Sequence, residues 1–238
     1  MKNIYDNERF FEAYADMPRS RDGLKSAGEW GQLEPLFPIL AQKNVLDLGC
    51  GYGWHSKYAR ERGAAFVLGI DQSEKMIAEA LKRNSAKGIA YRVCSLQEYD
   101  YPAETYDLVI SNLVLHYIED LDMVYRNVFQ TLKQGGVFLF NIEHPVFTAG
   151  VNQQWLTDGK KNLCWPVDDY FYPGERTTDF LGHTVKKQHH TLTQILMGLI
   201  DRGFHLEAVE EVMPPEAWRA QMPDEMRRPM MLIVKARK

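Results

Sequence analysis

The chain has 238 residues, 45% of them hydrophobic and 25% charged, with a formal net charge of −4. That is enough chain for a sizeable core, and the composition is that of a soluble folded domain. The acidic balance argues against a nucleic-acid partner held by a broad basic face. No apolar run approaches the ~20 residues of a membrane span. The N-terminus lacks the apolar core of a signal peptide. Cys50, Cys94 and Cys164 form no CxxC pair, and they read as reduced thiols in a cytoplasmic protein.

In chain order, residues 5–17 place Tyr5, Phe10, Phe11, Tyr14 and Met17 among charges. This reads as a short amphipathic helix stopped by Pro18. A second helical stretch over 26–40 has Trp30, Leu33, Leu36, Phe37 and Leu40 as its apolar positions, with Pro35 and Pro38 distorting it. The pair packs on the sheet edge or caps a ligand. Residues 44–48 then read as a short buried strand, running through Gly49, Gly51 and Gly53 into a helix that Gly63 stops. Such a turn presents backbone N–H groups at a helix N-terminus, and a Cβ there would hold a ligand off. Residues 65–70 make a second strand ending in Asp71, where an acid can accept hydrogen bonds from ribose hydroxyls.

Ser73 is a fitting N-cap for the next helix, with Met76, Ile77, Ala80 and Leu81 as its buried stripe. Strand 3 covers 89–94 and strand 4 covers 106–112. Leu121, Val124, Val128 and Leu132 recur at helical spacing before Gly135-Gly136 and strand 5 at 137–142. Near the end, 192–200 present one apolar helical face, 204–209 alternate as a strand, and 230–234 form a short closing strand.

Asp47-x-Gly49-x-Gly51-x-Gly53 departs from the dinucleotide pattern G-x-G-x-x-G, because Trp54 stands where the third glycine belongs. The D-x-G-x-G-x-G form resembles motif I of the class I S-adenosylmethionine (SAM)-dependent methyltransferases. The resemblance extends over 41–143 and 191–236. The 143–148 and 185–191 runs resemble an uncharacterised bacterial subgroup of methyltransferase type 11-like proteins. It implies an α/β fold: a three-layer αβα Rossmann-like domain with a seven-stranded sheet in order 3-2-1-4-5-7-6, strand 7 antiparallel, and a lid insertion after strand 5. The whole chain, 1–238, is then one domain, with 1–40 as an N-terminal helical cap and 144–190 as the lid.

The same resemblance implies SAM as cofactor and S-adenosyl-L-homocysteine as product. Its cofactor set is Asp47, Gly49, Cys50, Gly51, Gly53, Asp71, Gln72, Met76, Ser95, Leu96 and Asn112. Met76 lies against adenine in this reading. Ser95 stands where many relatives have an acid that bonds the adenine amino group, and the Leu96 backbone is the other candidate. Tyr14 or Arg19 meets the SAM carboxylate.

Residues 144–190 are too long for a plain connection and hold Phe147, Trp155, Trp165, Tyr170, Phe171, Tyr172 and Phe180. They read as a folded lid, with 167–172 paired to 183–190. Methyl transfer from a sulfonium needs a general base only when the acceptor must lose a proton. His116 and His144 are the catalytic candidates, and Trp165, Tyr170, His189 and His190 the substrate contacts; each histidine also fits a structural donor. No metal-ligand spacing is present. The reading is therefore a methyltransferase of a small molecule, without nucleic-acid or membrane partner. The rivals are an RNA or protein methyltransferase, or a SAM-binding protein without transferase activity. Strand 4 ends in Ser111-Asn112-Leu113-Val114, not in the N-P-P-Y kind of motif used on exocyclic base amines.

Overall fold

The computed structural model describes residues 3–238. A 3-10 turn over Ile4–Asp6 leads into α1 (Glu8–Ala15), whose N-cap Asn7 accepts from the Phe10 N–H. The helix ends ahead of Pro18, where Met17 is extended (ψ 139°) as the residue before a proline prefers. Pro18 also opens the next, α2 (Pro18–Asp22), at a first-turn position where a missing N–H has no intrahelical acceptor to lose. The second expected stretch is helical only in α3 (Trp30–Leu33) and a 3-10 turn over Glu34–Leu36. Pro35 and Pro38 deny a longer helix its donors.

The central elements follow: β1 (Asn44–Leu48), α4 (Trp54–Glu61), β2 (Phe66–Asp71), α5 (Glu74–Asn84), β3 (Ile89–Val93), β4 (Tyr106–Asn112), α6 (Leu121–Thr131) and β5 (Leu132–Glu143). Next come α7 (Pro145–Thr148) and two hairpins, β6 (Leu156–Thr157) with β7 (Asn162–Cys164) and β8 (Gly174–Phe180) with β9 (His183–His189). The chain closes with α8 (Leu192–Asp201), β10 (His205–Glu211), α9 (Glu216–Arg219) and β11 (Met231–Arg237). Among the described residues no helix is long and apolar enough to cross a membrane.

The main sheet runs β3-β2-β1-β4-β5-β11-β10. Strands β1 to β5 are parallel, and β11 is antiparallel to both β5 and β10. This is the expected 3-2-1-4-5-7-6 order with its last strand reversed. Side chains alternate across it. Leu46 and Leu48 pack into one apolar layer with Phe138 and Phe140, and Val45 into the other with Val67 and Leu108. Parallel strands covered on both faces need such near-continuous apolar sequence. Strand order reverses direction at β1, so a crevice opens beyond the carboxyl ends of β1 and β4.

The insertion differs from expectation in its pairing. Residues 167–172 form no strand; β9 pairs with β8, from Gly174↔His189 to Phe180↔His183. Leu181 and Gly182 join them with φ of 55° and 73°. A two-residue turn with both φ positive matches the twist of flanking strands, so the adjacent segment wins the pairing. The inward side of β9 carries Val185, Lys187 and His189, exposed by 3%, 4% and 0%. A lysine thus faces inward from a hairpin.

Candidate active site

The glycine turn is tied to the end of β2. The Gly49 and Cys50 N–H groups both donate to the Ile70 carbonyl, at 2.8 and 2.9 Å. Asp71 Oδ2 accepts from the Gly51 N–H at 3.0 Å and Oδ1 from the Ser73 N–H at 2.9 Å. Each carboxylate oxygen keeps a further lone pair for a ligand hydroxyl. The three glycines have different reasons to be there. A Cβ at Gly49 would run into Val114, and one at Gly53 into Tyr91. A Cβ at Gly51 (φ 51°) would meet no protein atom within 4 Å, because Gly51 faces a cavity.

That cavity encloses about 420 Å³. Of the expected cofactor residues, Tyr14, Arg19, Gly49, Cys50, Gly51, Asp71, Gln72, Met76, Leu96 and Asn112 line it. Asp47, Gly53 and Ser95 do not. Asp47 is 1% exposed and lies behind the loop, accepting from Ser56 Oγ at 2.6 Å. Burial raises its carboxyl to about 7 against the Ser56 bond that lowers it. It holds β1 to α4 rather than reaching a ligand. Gly53 is the left-handed N-cap of α4. Ser95 turns its hydroxyl onto its neighbour Gln97, and it is Gln97 and Cys94 that join Leu96 on the wall.

Arg19 is ion-paired with Glu29, which is 1% exposed and also accepts from Asn112 Nδ2 at 3.0 Å. Asn112 Oδ1 in turn accepts from Asn141 Nδ2 at 3.0 Å. A chain of polar groups thus fixes the N-terminal segment to the ends of β4 and β5. His55, absent from the sequence-based set, lines the cavity with its Nε2 buried and without a hydrogen-bond partner among the described residues. Burial lowers it to about 4, so it is neutral at pH 7.

A second group of lining residues comprises Tyr5, His116, Tyr117, Glu143, Phe180 and Lys187. The Tyr5 and Tyr117 hydroxyls lie 3.1 Å apart. Lys187 Nζ donates to Glu143 Oε1 at 2.5 Å and sits 5.5 Å from the Phe180 ring centroid. His116 is 3% exposed, and its Nδ1 accepts from the Glu143 N–H at 3.4 Å. Its ring proton is therefore on Nε2, 3.9 Å from Glu143 Oε1. Burial first, with Glu143 opposing and Lys187 assisting, lowers His116 to about 4.

The other substrate and catalytic candidates lie away from this cavity. His144 is the N-cap of α7, its Nδ1 accepting from the Val146 N–H at 3.0 Å, with Nε2 3.0 Å from Glu211. His189 spends both ring nitrogens, on the Thr148 hydroxyl at 2.7 Å and the Tyr170 carbonyl at 2.9 Å. His190 Nε2 donates to the Ile118 carbonyl at 2.8 Å. The Tyr170 hydroxyl accepts from the Leu192 N–H at 3.1 Å. Trp165 donates to the Val146 carbonyl at 3.0 Å and stacks on Phe147. These groups hold the insertion together and do not line the cavity, whereas Phe180 and Lys187 of the same segment do; the signal for Lys187 was its inward position in the alternation of β9.

The lining fits a molecule such as SAM. Gly51 leaves backbone open to it, Asp71 has spare acceptors for two ribose hydroxyls, and Met76 and Leu96 offer an apolar wall for a base. Comparison with known proteins agrees. Residues 46–140 match a family model described as a methyltransferase domain. A Listeria monocytogenes structure assigned to the S-adenosylmethionine dependent methyltransferases is 44% identical, with a TM-score of 0.86, covering 91% of this chain and 99% of the other. The S-adenosylmethionine dependent methyltransferase from Mesorhizobium loti is 40% identical, with a TM-score of 0.83, covering 91% and 100%. An uncharacterized protein from Haemophilus influenzae is 30% identical over 99% of this chain and 97% of its own length.

Proposed function

The chain belongs to the S-adenosylmethionine-dependent methyltransferases, and we propose that it transfers the methyl group to a small molecule enclosed between its N-terminal segment and the insertion after β5. In this reading 1–238 is one domain, 1–40 caps the cofactor, and 144–190 is a lid over the acceptor. When bound, SAM supplies a methyl carbon on a sulfonium, a leaving group already activated.

The wall of the cavity carries the proposal. Tyr5, Tyr14, Tyr117 and Phe180 line it with rings, and they come from the N-terminal segment, the loop after β4 and the insertion. Aromatic walls bury an apolar acceptor at low entropy cost. The cations that line it, Arg19 and Lys187, are each paired with a carboxylate, Glu29 and Glu143, so neither is spare for a phosphate backbone. Enclosure favours orientation and exclusion of water, which is much of what an in-line displacement needs.

The test is a metabolite screen for thermal stabilisation of the protein in the presence of S-adenosylhomocysteine, followed by mass spectrometry for a gain of one methyl. A small molecule that both stabilises and is methylated supports the reading. Methylation of total RNA or of a protein extract, with no small-molecule hit, would overturn it.

A further inference from the structure

Resting on SAM as the cofactor, we propose that Glu29, which does not itself line the cavity, is a positioning residue for cofactor binding: it holds the Arg19 guanidinium beside the end of β4, where Arg19 receives the carboxylate of the amino-acid part of SAM. Glu29 stands at the N-cap of α3 and makes no side-chain bond to that helix. An acid there ordinarily accepts from a backbone N–H of the first turn. This one is 1% exposed and turns instead to Arg19 and to Asn112, whose Nδ2 donates to Oε1 at 3.0 Å. Burial pushes its carboxyl up, but Arg19 beside it and the Asn112 bond bring it below the usual carboxylate value, so it is ionised at neutral pH.

A buried ion pair is a poor stabiliser. Taking both charges out of water offsets their attraction, and apolar residues of similar volume often do as well. Its presence calls for another use, and Arg19 supplies one. Arg19 lines the cavity with its side chain 22% exposed, and among the described residues Glu29 is its only hydrogen-bond partner. A guanidinium has five N–H donors in a rigid fork. With one directed to Glu29, the others remain for a ligand in a fixed orientation, which favours charge-assisted capture of a carboxylate.

The sheet fixes which end of the cofactor this is. Along the rim the strand ends follow the order β3, β2, β1, β4. Cys94 and Leu96 follow β3, Asp71 ends β2, Gly49 follows β1 and Asn112 ends β4, and each lines the cavity. With the ribose on Asp71 and the base against Met76 and Leu96, the rest of SAM runs past Gly49 toward Asn112. Arg19 is tied through Glu29 to that last position, on the side of Asp71 away from the base. Asn112 is held in turn by Asn141 of β5 at 3.0 Å, so the aim of the guanidinium is set by the sheet. The charges match as well. Arg19 and Glu29 sum to zero, as do the one ammonium and one carboxylate of the amino-acid part.

The experiment is calorimetry with two ligands, S-adenosylhomocysteine and its decarboxylated analogue, which lacks only the carboxylate. The wild type is expected to prefer S-adenosylhomocysteine at least tenfold, as a charge-assisted bond implies. In Glu29→Gln that preference should fall at least fivefold, while the analogue binds within twofold of its wild-type affinity. Arg19→Met should abolish the preference, and adding Glu29→Gln to it should change nothing further, because the two residues act as one unit. A wild-type preference below threefold would overturn the proposal. So would a Glu29→Gln variant that weakens both ligands alike or neither, since an acid with a merely structural role moves no preference. If Glu29→Gln fails to fold, Glu29→Asp keeps the charge and shortens its reach; its preference should fall at least threefold, and an unchanged preference overturns the proposal equally. Failure of the wild type to bind either ligand would strike the cofactor reading itself, which the titration thereby distinguishes.

Discussion

Asp71→Asn separates a ribose ligand from a purely structural loop clamp. Burial raises the Asp71 carboxyl to about 6, although the Ser73 and Gly51 N–H groups pull it down. Ribose hydroxyls donate to the ionised form, so binding draws the proton off. Affinity is then full above pH 6 and lost as pH falls through it. One unit is worth 1.36 kcal/mol, so the wild type should bind about tenfold more weakly at pH 5 than at pH 7. The asparagine has no charge to titrate, and its NH₂ must face the Gly51 or the Ser73 N–H. Loss of a bond to a charged acceptor is worth about 1.5–3 kcal/mol, or roughly 10- to 150-fold in affinity at pH 7. Calorimetry with S-adenosylhomocysteine at pH 5, 6, 7 and 8 reads both effects, and the variant subtracts any titration of the ligand. A variant that binds within twofold of the wild type at pH 7, or that keeps the wild-type pH slope, would refute the reasoning.

Asp47 tests burial without a ligand. Its carboxyl is raised from 3.8 to about 7, so its contribution to stability is full below pH 3.8 and lost as pH rises through 7. Asp47→Asn should therefore gain roughly 2–3 kcal/mol relative to the wild type between pH 5 and pH 8 in urea melts, and a gap that does not move with pH would contradict the assignment. Gly51→Val should fold with a loss of about 1–2 kcal/mol from its positive φ and fail to bind SAM; normal binding would show that the cofactor does not approach this loop. His144→Ala should lose about 1 kcal/mol as a broken cap while kcat stays within roughly twofold, and a fall on the order of a hundredfold would restore it as a catalytic candidate.

The sheet was legible in the chain because its signals are local. Residues 44–48 and 65–70 are apolar runs that end in glycine or an acid, the near-continuous pattern of parallel strands covered on both faces. Order and the reversed last strand came with the resemblance carried by Asp47 to Gly53 and Asp71. That Gly49, Gly51, Asp71, Met76 and Asn112 line one cavity was legible for the same reason: each stands at a strand end or helix start, and the topology brings those ends to one rim.

The part of the cavity wall that the insertion supplies was decided by tertiary structure. Whether a histidine is a base or a donor depends on what its two nitrogens meet, and His144, His189 and His190 meet a backbone amide, a hydroxyl and carbonyls that lie up to 72 residues away in sequence. The aromatic count of the insertion was visible, but which rings face the cavity followed from strand register. A two-residue turn at Leu181-Gly182 set β8 against β9, and that register turned Lys187 inward onto Glu143. In a hairpin a shift of one residue exchanges the two faces. Composition along the chain specified that this segment folds; only the packed arrangement specified which of its side chains meets the cavity and which holds the segment together.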